Sequence, residues 1–117
     1  MNRKYEMTRM NSRQKGKRGE LEVANLLKRH GYDARRAQQY CGANGDADVI
    51  GLPGIHIEVK RTEKLNINKA MHQAEDDKRY GEIPAVFHRT NAEQWKVTMW
   101  ASDWIRMYRR ANDEKDI

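Results

Sequence analysis

Two short segments carry residues whose types and spacing could do chemistry. Asp46-Ala47-Asp48-Val49-Ile50 ends a glycine-rich stretch, and Ile57-Glu58-Val59-Lys60 follows soon after. Both read as strands, and Leu52-Pro53-Gly54 between them is a turn signal. Glu58 and Lys60 are two apart, so they project from one face with His56, while Ile55, Ile57 and Val59 project from the other. Two carboxylates brought together on adjacent strands repel when both are ionised, unless a cation sits between them. Mg²⁺ is a hard cation that takes carboxylate oxygens and keeps several waters. Such a metal activates a water and neutralises charge on a phosphodiester. Lys60 beside it could orient that water or stabilise the developing phosphorane.

This chemistry depends on strand register. A two-residue turn at Pro53-Gly54 would pair Ile50 with Ile57 and send Asp48 to the face opposite Glu58. A three-residue connection, Leu52-Pro53-Gly54, pairs Val49 with Ile57 and Asp48 with Glu58. Directly opposed residues have Cβ atoms about 4.5–5.5 Å apart, close enough to share one cation. An odd-length connection or a bulge between Asp48 and Glu58 is therefore expected.

The elements that must position this hairpin follow from periodicity. A first helix is predicted over 16–30, with Val23, Ala24 and Leu27 at helical spacing and Gly31 as its stop. Glu20 shares that apolar face, and an acid on an inward edge needs a reason, because burying a lone carboxylate is costly. A short polar strand covers 32–38, and a loop covers 39–45. A second helix starts at the N-cap Asn66 and runs to Tyr80, with Ile67, Ala70, Met71 and Ala74 as its apolar stripe and Gly81 ending it. Strands follow over 84–89 and 94–100. Ser102 caps a last helix with Trp104, Ile105 and Tyr108 on one face. The order is α-β-β-β-α-β-β-α, an α/β fold with a small mixed sheet flanked by helices.

Length and composition bound the rest. The 117 residues suit a single domain. We divide them into a basic, flexible arm over 1–14, one domain over 15–111 and a frayed tail over 112–117. No apolar run is long enough for a transmembrane helix, and the first residues carry no secretory pattern. The single cysteine, Cys41, excludes an internal disulfide and a paired-cysteine metal site, so a reducing, cytoplasmic setting is the simple reading. Lys and Arg number 23 against 17 Asp and Glu, a net charge of +6. That balance favours a polyanionic partner, nucleic acid first. Lys15, Lys17 and Arg18 precede Glu20 at the expected helix start, where free N–H groups also favour phosphate. Arg35 and Arg36 lie on the first strand, and Arg61 follows Lys60.

Gly19-Glu20, Asp48 and Glu58-Val59-Lys60 together resemble the PD-(D/E)xK nuclease superfamily. Lys17-Arg18-Gly19-Glu20, Ala47-Asp48-Val49-Ile50-Gly51 and Ile57-Glu58-Val59-Lys60-Arg61 are most similar to archaeal-type Holliday junction resolvases and their small phage-borne relatives. The likeness covers about residues 15–100. Ala47 stands where the nominal signature has proline. The resemblance implies a restriction-endonuclease-like αβββαβ core and a metal-dependent endodeoxyribonuclease acting on branched DNA, four-way junctions first, in a bacterial or phage-infected cell. It implies that Asp48, Glu58 and the Val59 carbonyl bind Mg²⁺, with Mn²⁺ as substitute. Glu20 would reach the metal directly or through water, Lys60 would be the catalytic lysine, and Gln73 would lie near the site. Two symmetric cuts in one junction imply a homodimer.

Other readings stay beside this one. A nuclease of the same fold could act on flaps, nicks or duplex ends, and a non-catalytic nucleic-acid-binding module could keep the fold. Glu58 and Lys60 alone would read as a surface pair worth little. Asp46 shares parity with Asp48 but suits closure of the glycine-rich turn. Gln73 suits an exposed polar position equally well. His56, His72 and His88 are scattered and read as surface or packing residues. Trp95, Trp100 and Trp104 read mainly as core.

Overall fold

The computed structural model describes residues 3–37 and 47–115, and the side chains over 14–37 and 47–113. Asp46 and Cys41 lie outside the described residues. The elements are α1 (Arg3–Arg29), β1 (Arg35–Arg36), β2 (Val49–Ile50), β3 (Ile55–Arg61), α2 (Ile67–Asp77), β4 (Ile83–Arg89), β5 (Lys96–Thr98) and α3 (Ala101–Lys115). The order is the one expected. The five strands form one mixed sheet in the order β1-β2-β3-β4-β5. β3 and β4 are parallel, and the other neighbours are antiparallel. A parallel pair needs a crossover, and α2 supplies it.

The helices build two apolar layers. Val23 and Ala24 of α1, with Leu27, pack on Ala34, Val49, Ile57 and Val59. Ala70, Met71 and Ala74 of α2 pack with Val86, helped by Leu65, Ile67 and Trp100. Full burial of an aliphatic side chain contributes roughly 1.5–3 kcal/mol, so β3, buried from His56 to Val59, anchors the domain. No helix among the described residues is long and apolar enough to cross a membrane.

Helix ends show where sequence signals worked and where they did not. Gly31, at φ +94°, is the C′ residue of α1. Its N–H donates to Lys28 O and that of Tyr32 to Leu27 O, which satisfies the last carbonyls. The start of α1 differs from expectation. The helix begins at Arg3, not near Gly16, because the intervening residues contain no proline and a lone glycine only weakens a helix. Lys15, Lys17 and Arg18 therefore sit in mid-helix, with no free helix N-terminus beside them. Asn66 caps α2 as expected, its side chain accepting from Lys69 N at 3.1 Å. That helix ends at Asp77, three residues early, because Lys78 turns extended and the Arg79 N–H goes to the Glu82 carboxylate at 2.8 Å. Gly81, at φ +88°, then serves the turn from Arg79 to Glu82.

The last helix departs furthest. The N–H groups of Asp103 and Trp104 both donate to Trp100 O, so Trp100 occupies the cap position and Ser102 lies inside the first turn. Among the described side chains of α3 Asp103 is the buried one, and Trp104, Ile105 and Tyr108 are about half exposed. Trp104 stacks on Tyr108, one helical turn on, with ring centroids 5.4 Å apart. The reading of Trp104 as core is corrected: α3 leaves the edge strand β5 and turns its apolar stripe to solvent. Trp95 packs against the α1 layer and Trp100 against the α2 layer, as expected.

Two glycines test the packing from opposite sides. Gly51, at φ +108°, would place a Cβ 2.0 Å from Asp33 O, against backbone that has no room to move. Gly16 sits in α1 with nothing within 4 Å of such a Cβ. Gly51→Ala should lower stability by at least about 3 kcal/mol, combining a positive φ with a clash. Gly16→Ala should raise it by about 0.5–1 kcal/mol, the helix-interior difference. Urea denaturation of the two variants checks both signs.

Candidate metal and DNA site

The hairpin adopts the register that chemistry demands. Ile55 N donates to Leu52 O at 3.1 Å, closing a turn through Pro53 and Gly54, the latter at φ +86°. Proline at the second position and a positive-φ glycine at the third suit a type II turn. Val49 nonetheless pairs with Ile57, the register of the three-residue connection rather than of a bare two-residue turn, and that register continued by one residue would set Asp48 opposite Glu58. The ladder is irregular here. Asp48 N donates to Ile57 O at 2.8 Å, one residue off register, and Asp48 Oδ2 accepts from Val59 N at 2.8 Å. A side-chain oxygen thus takes a donor that a backbone carbonyl takes in a regular ladder. This is the kind of local offset expected between the two acids.

The consequence is a pair of carboxyl groups in contact. Asp48 and Glu58 share a hydrogen bond, and Glu58 is only 4% exposed. Burial, then the charge of Glu58, pushes the Asp48 pKa up to about 7. The Val59 N–H works against that rise, and the charge of Glu20 adds to it. The other side of Glu58 is held by a residue that sequence reading passed over. His56, 1% exposed, lies with Nε2 2.8 Å from Glu58 Oε1. Its Nδ1 is 3.8 Å from Glu82. Burial alone would depress the His56 pKa, but the hydrogen bond and charge of Glu58, backed by Glu82 and Asp77, raise it above the ordinary value. The signal was its parity with Glu58 and Lys60 on a strand buried on both faces.

Lys60 follows on the same face, and its Nζ donates to Gln73 Oε1 at 3.4 Å. Gln73 is exposed on α2. The crossover helix therefore brings this glutamine to the lysine while leaving it exposed, as the polar-surface reading also expects. Glu20 arrives from α1. Gly19 makes that approach possible, because a Cβ there would lie 2.7 Å from Arg61 Cβ. Glu20 Oε1 accepts from Arg36 Nε at 2.6 Å, so its carboxylate is paired while its charge still reaches Asp48.

The basic residues separate into two groups. Lys17, Arg18 and Arg35 are exposed, and Arg35 lies 3.9 Å from Asp33. Lys15, Arg36 and Arg61 are engaged with Glu63, Glu20 and Glu22 respectively. The Arg61 side chain is 10% exposed and also donates to Asn91 at 2.8 Å. Its placement ties α1 to β3 rather than facing solvent. Arg89 reinforces the link through Glu22 at 3.0 Å.

Among the described residues, no three Asp, Glu, His or Cys side chains form a ready-made metal cage. The donors on hand are the two carboxyls and the Val59 carbonyl, which shares the β2 side of β3 with the Val59 N–H. These are hard oxygen donors in a half-closed place, where burial and then the Glu58 charge raise the Asp48 pKa. The set fits a hard divalent cation that retains waters. A separate cleft of about 460 Å³ lies beside the hairpin. Arg35, His56, Arg79 and Glu82 line it, and neither Asp48 nor Glu58 does.

The sequence matches no protein-family model and no curated protein. Among solved structures the chain is similar to Hjc, a Holliday junction resolvase from the archaeal hyperthermophile Archaeoglobus fulgidus. The two share 20% identity at a TM-score of 0.51, over 72% of this chain and 76% of that one. At this identity the likeness speaks for the fold. The mixed sheet flanked by helices is a restriction-endonuclease-like α/β architecture, as the resemblance implied.

Proposed function

We propose that this protein is a metal-dependent endodeoxyribonuclease that cuts branched DNA, with the four-way junction as its substrate. The observation that carries this reading is the contact of Asp48 with Glu58 beside the Lys60–Gln73 pair. The fold shared with a junction resolvase supports it. The reaction is hydrolysis of a phosphodiester by in-line attack of water. Asp48, Glu58 and the Val59 carbonyl would hold Mg²⁺, or Mn²⁺, which when bound supplies an activated water and neutralises phosphate charge. Lys60 stabilises charge on the phosphate oxygens, and Gln73 holds its ammonium on that side of the sheet. Glu20, paired with Arg36, closes the edge of the site through charge and water contacts. Lys17, Arg18 and Arg35 offer exposed charge to the DNA backbone, within a net charge of +6. A homodimer would place two such sites about a twofold axis, matching the symmetry of a junction.

The direct test is a labelled four-way junction incubated with Mg²⁺ and with chelator, beside flap, nicked and linear duplexes. Paired cuts in the junction, abolished by chelator, are expected. Preferred cutting of flaps or ends would assign the fold another DNA structure, and binding without any cutting would overturn the enzyme reading. Lys60→Ala should lower junction cleavage about 10²–10³-fold, the usual effect of losing one charge-stabilising donor. Its junction affinity should stay within about threefold, since many other cations contribute. Gel-shift and single-turnover cleavage measure the two quantities on one preparation.

The carboxylate pair also makes the metal-free protein pH-sensitive. The folded-state pKa of Asp48, about 7, lies above the ordinary carboxyl value of 3.8. A raised pKa means the folded state binds the proton more tightly than the unfolded state. The resulting stability is complete below about pH 4 and is lost as pH rises through about 7. His56 acts in the same sense, because its pKa is also raised. Denaturation of metal-free protein should therefore show stability declining from pH 5 to pH 8 by roughly 2–4 kcal/mol. Millimolar Mg²⁺ should restore most of it at pH 8, and Asp48→Asn should flatten the decline.

A further inference from the structure

We propose that His56 is a positioning residue for Glu58. Its Nε2–H bond to Oε1 fixes the carboxylate rotamer, so that the second oxygen is presented to Asp48 and to the cation they share. This rests on the metal-site reading above and extends it to a residue outside the donor set. Glu58 has a flexible side chain, and a free carboxylate beside Asp48 would swing away to relieve repulsion. The 2.8 Å hydrogen bond from His56 prevents that swing. The two residues are two apart on β3, so the strand itself sets their spacing. His56 is 1% exposed, and its ring is held between Glu58 on Nε2 and Glu82, 3.8 Å from Nδ1. A packing role alone would suit an aliphatic residue, which leaves no buried nitrogen needing a partner. Hydrogen bonds to ligating carboxylates commonly change metal affinity 10–100-fold when removed.

The test is a calorimetric Mn²⁺ titration of the full-length, metal-free protein and three variants. The wild type should bind Mn²⁺, and Asp48→Asn should lose that binding. His56→Leu should bind Mn²⁺ about 10–100-fold more weakly. His56→Gln, which places an amide N–H near the position of Nε2, should recover to within about threefold. Junction affinity in chelator should be the same in the wild type and the two His56 variants. If His56→Leu binds Mn²⁺ like the wild type while Asp48→Asn does not, the positioning role is wrong and the metal site stands. If the wild type binds no Mn²⁺, or Asp48→Asn binds it unchanged, the metal site itself fails and the inference falls with it. A second measurement needs no His56 variant, and so covers a His56→Leu protein that does not fold. Diamagnetic Mg²⁺ should shift the His56 Nε2 resonance in the ¹⁵N spectrum of the wild type and leave it in place in Asp48→Asn. An unmoved resonance in the wild type, under Mg²⁺ concentrations that support cleavage, overturns the proposal.

Discussion

Two carboxyl groups in contact repel as soon as both ionise, and the surroundings of Asp48 and Glu58 work to hold them together nonetheless. The register of β2 on β3 is the first device, because a slip of one residue would send the two acids to opposite faces. Gly51 protects that register. Its positive φ and its approach to Asp33 O let the chain leave β2 without lengthening the connection. The Asp48 side chain supplies the second device by accepting from Val59 N, which anchors one carboxylate oxygen to the partner strand. His56 supplies the third, on the far side of Glu58. What opposes them is burial first and the Glu58 charge second, and together these push the Asp48 pKa up to about 7.

The rim of the site shows a different solution to the same problem. Glu20 and Glu22 lie two apart on α1, and both are matched to arginines from the sheet. Glu20 meets Arg36 on β1, and Glu22 meets Arg61 on β3 and Arg89 on β4. These partly buried pairs fix the helix against three strands, and Gly19 lets it come close enough to make them. Pairing offsets much of the rim's charge, although that of Glu20 still reaches Asp48.

Much of this was legible in the sequence, for reasons that are local. Strict alternation of strand side chains meant that only an odd register could bring Asp48 and Glu58 to one face, so the need to join the two acids, not the turn residues, pointed to the register found. Asn66 and Gly31 announced helix ends through hydrogen bonds that those residues make themselves. Features that depend on a remote partner were not legible. The stripe Trp104, Ile105 and Tyr108 has helical periodicity, but periodicity does not say whether the chain covers it, and here it does not. Arg61 reads as a free cation until Glu22, 39 residues away, is seen beside it. The early end of α2 depends on Glu82 capturing the Arg79 N–H, a competition no propensity scale contains. His56 was visible by parity alone, and only burial between two acids gives it weight.

The strand β3 explains why these pieces converge on one place. Its alternate positions His56, Glu58 and Lys60 point to one face, and each receives a partner from a different element. Glu82, just before β4, lies near His56; Asp48 from β2 meets Glu58; Gln73 from α2 meets Lys60. Exposure rises along the series, from 1% at His56 and 4% at Glu58 to a half-buried Lys60. The residue that must hold still is therefore deepest, the group that would bind a cation comes next, and the lysine that would meet phosphate stands nearest solvent. A parallel β3–β4 pair makes this possible, because its crossover helix must return over the same sheet face. With β2 on one edge of β3 and α2 above its end, one seven-residue strand gathers two acids and an amide from three separate parts of the chain.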